Sequence, residues 1–435
     1  MHPIRQELYP GITLNVLDDS RFKTNYISLS FLCDMTKENA AVSHLLPMVL
    51  GRGSERYPNL GAINRALEMI WDGTLDSGTG RMGETRVIGF SACYPDDRFI
   101  PGSESIEDKT LDIFFDILFF PKSERGVFLT EYTESEKEKL IQRIATQTNA
   151  KGKYADTRLR ETLCQNEPYG LPSAGSIEQV QSVTPEELYD FYRQMLRSFP
   201  LEIIYIGRTP FEVISQKLKA RLALLDHPKM PLSGTTVIRS AAEIRRVEEA
   251  LPGKQGHLRL GFRTDCTLQE EHFAAFAMMN EILGGCPVSL LFTNVREKQS
   301  LCYYCHSAPN SLKGLLTIGA GIRDENRDTA EEAILAQVAA MQAGNFDQAQ
   351  IDAALYSIES ALRGITDSRG TVESFLLRRL LAGADISIEH YLAALQKVTK
   401  EDIVAAARRL TLDTVYYLKP DIGASDDVGG DEDVL

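Results

Sequence analysis

Residues 41–59, AVSHLLPMVLGRGSERYPN, have the pattern of an apolar helix that ends at a glycine-rich turn. The apolar residues recur at the spacing of one helix face, and Gly51 and Gly53 follow the last of them. His44 is the only residue of this helix with an obvious metal-binding side chain. A zinc site on one helix needs a second histidine one turn on, with a glutamate between them to take a proton from water. Pro47 stands in place of the glutamate and Met48 in place of the second histidine. The helix therefore has the apolar pattern of a zinc-bearing helix but lacks the base and the second ligand.

Length and charge limit the classes of function open to this chain. A chain of 435 residues exceeds one ordinary hydrophobic core, which predicts two large domains or a tandem repeat. The formal net charge of −14 disfavours a nucleic-acid or anionic-membrane partner. Residues 1–11 lack the apolar core of a signal peptide, and no apolar run approaches the length of a membrane span. We therefore expect a cytoplasmic protein.

A strand-and-helix pattern occurs twice along the chain. Residues 26–32 alternate between apolar and polar, and the alternation returns at residues 258–262. Near the end of each half a helix with a threonine cap leads into an apolar strand, and the stripe that begins at Leu188 recurs from Ile403, 215 positions later (403 − 188 = 215). The pattern predicts an α+β fold made of two copies of one unit. The predicted boundaries are a first domain at 1–225, a linker at 226–242, a second domain at 243–420 and a disordered acidic tail at 421–435.

The segment Cys302-Tyr-Tyr-Cys305-His306 has the spelling of a haem attachment site and also of a redox or zinc pair. We expect a strand here, and residues three apart on a strand point to opposite faces. No second cysteine pair is present to complete a metal site, so we interpret both cysteines as buried thiols. The seven cysteines are odd in number and scattered, which favours a reducing compartment over a disulfide framework.

Five segments of the chain carry a resemblance to a known family. SHLLPMVLGRGSERYP at 43–58 and SLLFTNVREKQSLCYY at 289–304, together with the duplicated units, resemble the pitrilysin/insulinase family of zinc peptidases, including its processing-peptidase-like bacterial members. More narrowly, RFKTNYISLSFL at 21–32, KGKYADTRL at 151–159 and EPYGLPSAGSIEQVQSVT at 167–184 resemble its YmfF/YfmF-type subfamily of peptidase-like proteins encoded beside an intact relative. The resemblance implies a metallopeptidase-type (LuxS/processing-peptidase-like) α/β sandwich for each copy.

The resemblance also implies that the metal site is lost. In the family, zinc is held by an inverted His-x-x-Glu-His motif and by a glutamate on a later helix. His44 matches the first ligand, Pro47 replaces the base and Met48 replaces the second ligand. Glu136 matches a supporting acid, and Arg143 stands where the third ligand belongs. One remaining ligand is too few for zinc, so no metal and no catalytic residue of its own is expected in this chain.

The second half of the chain departs less from the family's sequence pattern. Arg296 and Tyr303 fall on the family's arginine and tyrosine, which contact the bound peptide from the face opposite the metal. In two-subunit members of the family, one chain supplies the zinc site and the other supplies the arginine and the tyrosine. The resemblance therefore implies a non-catalytic subunit that forms a heterodimer with an active paralogue, binds a peptide substrate and leaves zinc to its partner. Two alternatives stay open: a structural or peptide-binding pseudo-peptidase without an active partner, and a hydrolase with relocated ligands.

Overall fold

The computed structural model describes residues 3–102 and 104–421. It divides into two compact units, the first comprising Met1–Ala145 and Leu171–Gly234, the second Thr146–Gly170 and Thr235–Leu435. Residues 146–170, which the sequence analysis placed in the first domain, thus pack with the second unit. The predicted acidic tail lies outside the described residues except for Asp421, which is the last residue of a strand.

The secondary structure is mixed, as the sequence predicts. The strands of the described residues are β1 (Ile4–Tyr9), β2 (Ile12–Asp18), β3 (Thr24–Asp34), β4 (Thr74–Met82), β5 (Thr85–Pro95), β6 (Ser123–Glu124), β7 (Val127–Phe128), β8 (Leu201–Gly207), β9 (Arg245–Pro252), β10 (Gly256–Arg263), β11 (Cys302–Asn310), β12 (Leu315–Ile322) and β13 (Thr411–Asp421). The helices are α1 (Asn39–Leu50), α2 (Leu60–Glu68), α3 (Ile106–Phe119), α4 (Thr130–Ala145), α5 (Lys151–Leu163), α6 (Ile177–Ser182), α7 (Pro185–Ser198), α8 (Phe211–Leu222), α9 (Phe273–Asn280), α10 (Arg327–Ala343), α11 (Gln348–Ile365), α12 (Arg369–Ala382), α13 (Ile388–Leu395) and α14 (Lys400–Arg408). Within the described part of the chain, π-helices cover Glu281–Gly285 and Leu291–Lys298.

Each unit is built on one main sheet. The sheet of the first unit has the order β1-β2-β8-β3-β5-β4, and that of the second has the order β11-β12-β10-β13-β9. The pair β2/β8 is parallel, as is β9/β13, whereas β8/β3, β3/β5 and β5/β4 are antiparallel, as are β13/β10, β10/β12 and β12/β11. Strands β2-β8-β3-β5-β4 therefore have the same order and sense as β9-β13-β10-β12-β11, and β1 is an addition to the first sheet.

The two threonine-capped helices form where the sequence predicts them. Thr184 accepts from the amide of Glu187 at the start of α7, and Thr399 accepts from the amide of Asp402 at the start of α14. In both caps the acidic side chain bonds back to the threonine amide, which completes a capping box. The predicted stripes are buried: Leu188, Phe191, Tyr192 and Met195 in α7, and Ile403, Ala406 and Ala407 in α14, followed by Leu410 just after that helix.

Helix α5 explains why residues 146–170 belong to the second unit. Its apolar face packs on the second sheet, where Ala155 and Leu159 lie against Tyr416 and Leu418 of β13. A Cβ atom at Gly261 of β10 would lie 2.9 Å from Leu163 Cδ2, so a glycine here lets the helix approach the sheet closely.

Candidate functional site

The helix with the degenerate motif is continuous through its proline. Helix α1 carries His44, Pro47 and Met48, and Pro47 lies inside the helix rather than in its first turn. Strand β4 runs alongside and contributes hydroxyl groups to the helix carbonyls, with Ser77 Oγ donating to the oxygen of Pro47 at 3.2 Å. Helix α1 is therefore continuous and packed through Pro47 and Met48, the positions where the sequence predicts a replaced base and a replaced second ligand.

Both ring nitrogens of His44 already have protein neighbours. Nδ1 lies 3.1 Å from the carbonyl oxygen of Ala40, and Nε2 lies 3.3 Å from Ser173 Oγ. Burial lowers the pKa of His44 to about 4, and the positive charge of Arg86 adds to this, with smaller contributions from Arg81 and Arg143. The imidazole is consequently neutral at neutral pH, and it is surrounded by cations.

Arg86 contributes most of that positive charge near His44. It lies on β5, is 1% exposed, and places Nη1 3.3 Å from His44 Nδ1 and 2.9 Å from the carbonyl oxygen of Ser173. Its Nε and Nη2 are buried and have no hydrogen-bond partner among the described residues. Burial lowers the pKa of Arg86 because a guanidinium without a carboxylate partner is poorly solvated here.

The later helix of the motif, α4, carries the other two predicted positions. Glu136 is buried, and its Oε1 accepts from Arg52 Nη1 at 3.3 Å and from Lys139 Nζ at 2.7 Å. Arg143 lies on the same helix with an exposed side chain, close enough to His44 to lower the pKa of the imidazole. The carboxylate of α4 is thus engaged by two cations, and the position two turns on adds a third positive group.

These residues do not fit a zinc ion. Structural and catalytic zinc sites use three or four donors from Cys, His, Asp and Glu. The described residues contain no group of three such side chains arranged to hold a metal. Met48 is half-buried and packs against the core of the first unit, and the guanidinium groups around His44 oppose a dication. No step of water activation by a metal follows from this arrangement.

In the second unit, Arg296 lies on a π-helix. This form of helix is rare and occurs often at functional sites. The π-helix Leu291–Lys298 leaves Arg296 exposed, with its guanidinium carbon 4.6 Å from the centre of the Phe292 ring. The stacking fixes the stem of the side chain and leaves the guanidinium nitrogens at the surface.

Tyr303 is the extra residue of a β-bulge. On β11, Cys302 pairs with Ile322 and Tyr304 pairs with Gly321, so Tyr303 has no partner on β12. Its side chain is 56% exposed. A bulge redirects the side chain it carries, and here it turns a tyrosine outward at the start of an edge strand.

Because of this bulge, the prediction that the two cysteines point to opposite faces of the strand is wrong. Cys302 and Cys305 are both buried, as predicted, but they lie on one face of β11 and not on opposite faces. The Cys305 thiol hydrogen-bonds to Cys302 and lowers its pKa, and the charge of Arg296 contributes in the same direction. The extra residue shifts the alternation by one position, which strand periodicity alone cannot reveal.

Residues 182–356 match the model described as the peptidase M16 inactive domain. A protein of Bacillus subtilis described as a probable inactive metalloprotease, YmfF, is 31% identical over 418 residues, which cover 95% of this chain and 97% of that protein. The chain belongs to the peptidase M16 family. It is an inactive homologue of the M16 metalloproteases, in agreement with the pitrilysin/insulinase resemblance of the sequence.

Solved structures show the same fold. A conserved protein from Enterococcus faecalis has a TM-score of 0.90 at 23% identity and is similar over 98% of this chain and 100% of its own. An M16 inactive domain from Pseudomonas fluorescens has a TM-score of 0.77 at 17% identity over the same shares. Among the described residues of this M16 homologue, no helix combines the length and the apolar character that crossing a bilayer requires.

The sequence motifs do not indicate the residues that surround His44. Arg86 and Ser173 contact the imidazole, and Arg81 adds to the positive field, but none of the three is among the predicted site residues. One signal was present for Arg86, because it is the only charged residue of the strand Thr85–Pro95. A buried charge in such a strand indicates a specific environment.

Proposed function

We propose that this protein is the non-catalytic subunit of an M16 peptidase complex. It forms a heterodimer with a metal-bearing paralogue in the cytoplasm and contributes Arg296 and Tyr303 to the peptide bound at the partner's active site. Zinc belongs to the partner alone. The supporting observation is the contrast between the two halves, in which the motif helix has one histidine among cations while Arg296 and Tyr303 are both exposed.

The chemistry of the two exposed residues suits this role. A guanidinium and a phenol are hydrogen-bond donors that stabilise a carbonyl or a developing oxyanion. Arg296 is on a π-helix and Tyr303 is on a bulge, two backbone irregularities associated with functional sites. Both side chains are exposed, so each is available to a bound peptide.

We also propose that the two units are copies of one ancestral peptidase-type unit. The shared order and sense of five strands support the duplication, as do the two matching capping boxes. Under this proposal the first copy keeps the packing of the zinc-bearing unit and the second copy keeps the substrate-facing side.

The proposal is tested by purifying the protein from its native organism with its partner and reconstituting the pair. The double variant Arg296→Ala/Tyr303→Ala should lower kcat/KM of the pair on peptide substrates by about 100-fold, the scale for losing an oxyanion donor. A matched control removes another exposed arginine and tyrosine of the same unit, Arg363→Ala/Tyr356→Ala, and should leave turnover unchanged. Zinc analysis should place the metal in the partner.

Two results would refute the proposal. Unchanged turnover of the Arg296/Tyr303 double variant would show that this side does not complete the partner's site. Recovery of the protein without any M16 paralogue would instead favour a pseudo-peptidase that acts alone. Equal heterodimer formation by wild-type and variant chains, measured by size exclusion, separates lost chemistry from lost assembly.

A further inference from the structure

A cavity of about 570 Å³ lies within the second unit. It is bounded by α9, the π-helix Glu281–Gly285, and the helices α11, α12 and α13. Its volume falls in the range of pockets that bind small molecules. The residues Arg296 and Tyr303 do not line it, so it is separate from the surface proposed to face the peptide.

The wall of this cavity is mainly apolar and aromatic. Its apolar and aromatic lining includes Leu268, Phe273, Ile358, Leu362, Phe375 and Tyr391. Phe273 and Tyr391 stack with ring centres 5.7 Å apart, which gives the cavity one rigid aromatic side. A wall of this kind favours an apolar ligand body.

One carboxylate in the cavity lacks a counter-charge. Glu281 lines the cavity, and its Oε2 is buried with no hydrogen-bond partner among the described residues. Ser357 donates a hydrogen bond to the carboxylate, but burial dominates and raises the pKa of Glu281. A Cβ atom at Gly285 would lie 2.6 Å from Glu281 Oε1, so this glycine leaves room for the carboxylate. A buried carboxylate oxygen without a donor is costly, and a ligand donor would remove that cost.

The cations of the cavity do not satisfy this carboxylate. Arg379 Nη1 donates to the carbonyl oxygen of Asp385, and its guanidinium carbon lies 4.8 Å from the Phe375 ring and 4.7 Å from the Tyr391 ring. Arg378 also lines the cavity and is exposed. Neither guanidinium hydrogen-bonds to Glu281 Oε2.

We propose that this cavity binds a small organic ammonium compound. The ammonium group donates to Glu281 Oε2, and the apolar body lies against Phe273, Ile358 and Leu362. An ammonium has three N–H donors and a positive charge, so it meets both the missing hydrogen bond and the missing counter-charge.

The test uses three probes of similar size and different charge. Calorimetry on the full chain should detect binding of 2-phenylethylamine, and 2-phenylethanol and 3-phenylpropionate should each bind at least 10-fold more weakly. The variant Glu281→Gln keeps the shape of the side chain and removes its charge, so it should weaken amine binding by at least 10-fold. Glu332→Gln removes an exposed carboxylate of α10 outside the cavity and should leave amine binding unchanged.

A second variant tests the proposal independently, in case Glu281→Gln does not fold. Ala277→Phe fills the cavity from α9 and keeps the carboxylate, so it should abolish amine binding while thermal unfolding stays cooperative. Failure of the amine to bind the wild-type chain overturns the proposal. It is equally overturned by amine binding that is as strong in Glu281→Gln as in wild type, or by the alcohol binding as tightly as the amine.

Discussion

Thr79 donates its hydroxyl to the carbonyl oxygen of Ser43 at 2.6 Å, and this oxygen is the one that Pro47 leaves without an amide partner. In a regular helix the amide of residue 47 would bond to the carbonyl of residue 43. Proline has no amide hydrogen, so the interior of α1 would contain a buried unsatisfied carbonyl. The strand β4 supplies the missing donor, which explains how α1 accommodates a proline in its interior.

We predict that Thr79→Val lowers the free energy of unfolding by about 1–3 kcal/mol, because Ser43 is fully buried and its oxygen would lose its donor. In a Pro47→Ala background residue 47 regains an amide, so the same change should cost clearly less. Ser77→Ala is the matched control, because the oxygen of Pro47 also accepts from the amide of Gly51 at 3.1 Å. A double-mutant cycle by chemical denaturation measures the coupling, and additive effects of Thr79→Val and Pro47→Ala would contradict this account.

Restoring the motif on α1 alone should not restore zinc. The double variant Pro47→Glu/Met48→His supplies the base and the second histidine, but the positive charge of Arg86, Arg81 and Arg143 still surrounds His44. Metal content after dialysis against zinc should therefore match wild type. Adding Arg143→Glu supplies the carboxylate expected by family resemblance and should raise zinc affinity. Tight zinc binding by the double variant would show that the third-ligand position has been assigned wrongly.

His44 should make the protein less stable in acid. The folded pKa is about 4 and the ordinary value is 6.5, so as pH falls from 6.5 to 4 the unfolded chain takes up a proton that the folded chain does not. The contribution of neutral His44 to the free energy of unfolding is fully present above pH 6.5 and is lost as the pH falls towards 4. Each pKa unit is worth about 1.4 kcal/mol, which sets an upper limit of about 3.5 kcal/mol.

The measurement compares wild type with His44→Gln in chemical denaturation at several pH values. The difference between the two unfolding free energies should be constant above pH 7 and should shift in favour of the variant towards pH 4. NMR titration of the imidazole gives the folded pKa directly. A midpoint near 6.5 would contradict the buried, cation-surrounded environment of His44.

The parts of this fold that local sequence rules describe were predictable. The caps at Thr184 and Thr399 follow from short-range hydrogen bonding, and the buried stripes follow from helix periodicity. The bulge at Tyr303 was not, because an inserted residue depends on the partner strand. The positive charge around His44 could not be predicted either. Arg86 lies 42 positions away in the sequence, and only the folding of strand β5 beside α1 brings its guanidinium to the imidazole.

The largest difference between the predicted and the observed domains concerns residues 146–170, which were predicted in the first domain. A buried ion cluster holds them in the second unit. Glu167 of this segment lies 2.7 Å from Arg263 Nη2 and 2.6 Å from Lys313 Nζ, and Asp413 accepts from Arg263 Nε at 2.9 Å. All four side chains are at most 5% exposed. These contacts connect strands β10 and β13 to a segment far away in sequence, which no local pattern indicates.

We predict that Glu167→Gln lowers the unfolding free energy by about 3–5 kcal/mol, because it leaves Arg263 and Lys313 buried with too little negative charge. The control Glu325→Gln, an exposed carboxylate of the same unit, should change stability by less than about 0.5 kcal/mol. Thermal unfolding measures both effects, and limited proteolysis should show faster cleavage within 146–170 in the Glu167 variant alone. Wild-type stability and unchanged proteolysis of Glu167→Gln would mean that packing of α5, and not the ion cluster, holds this segment.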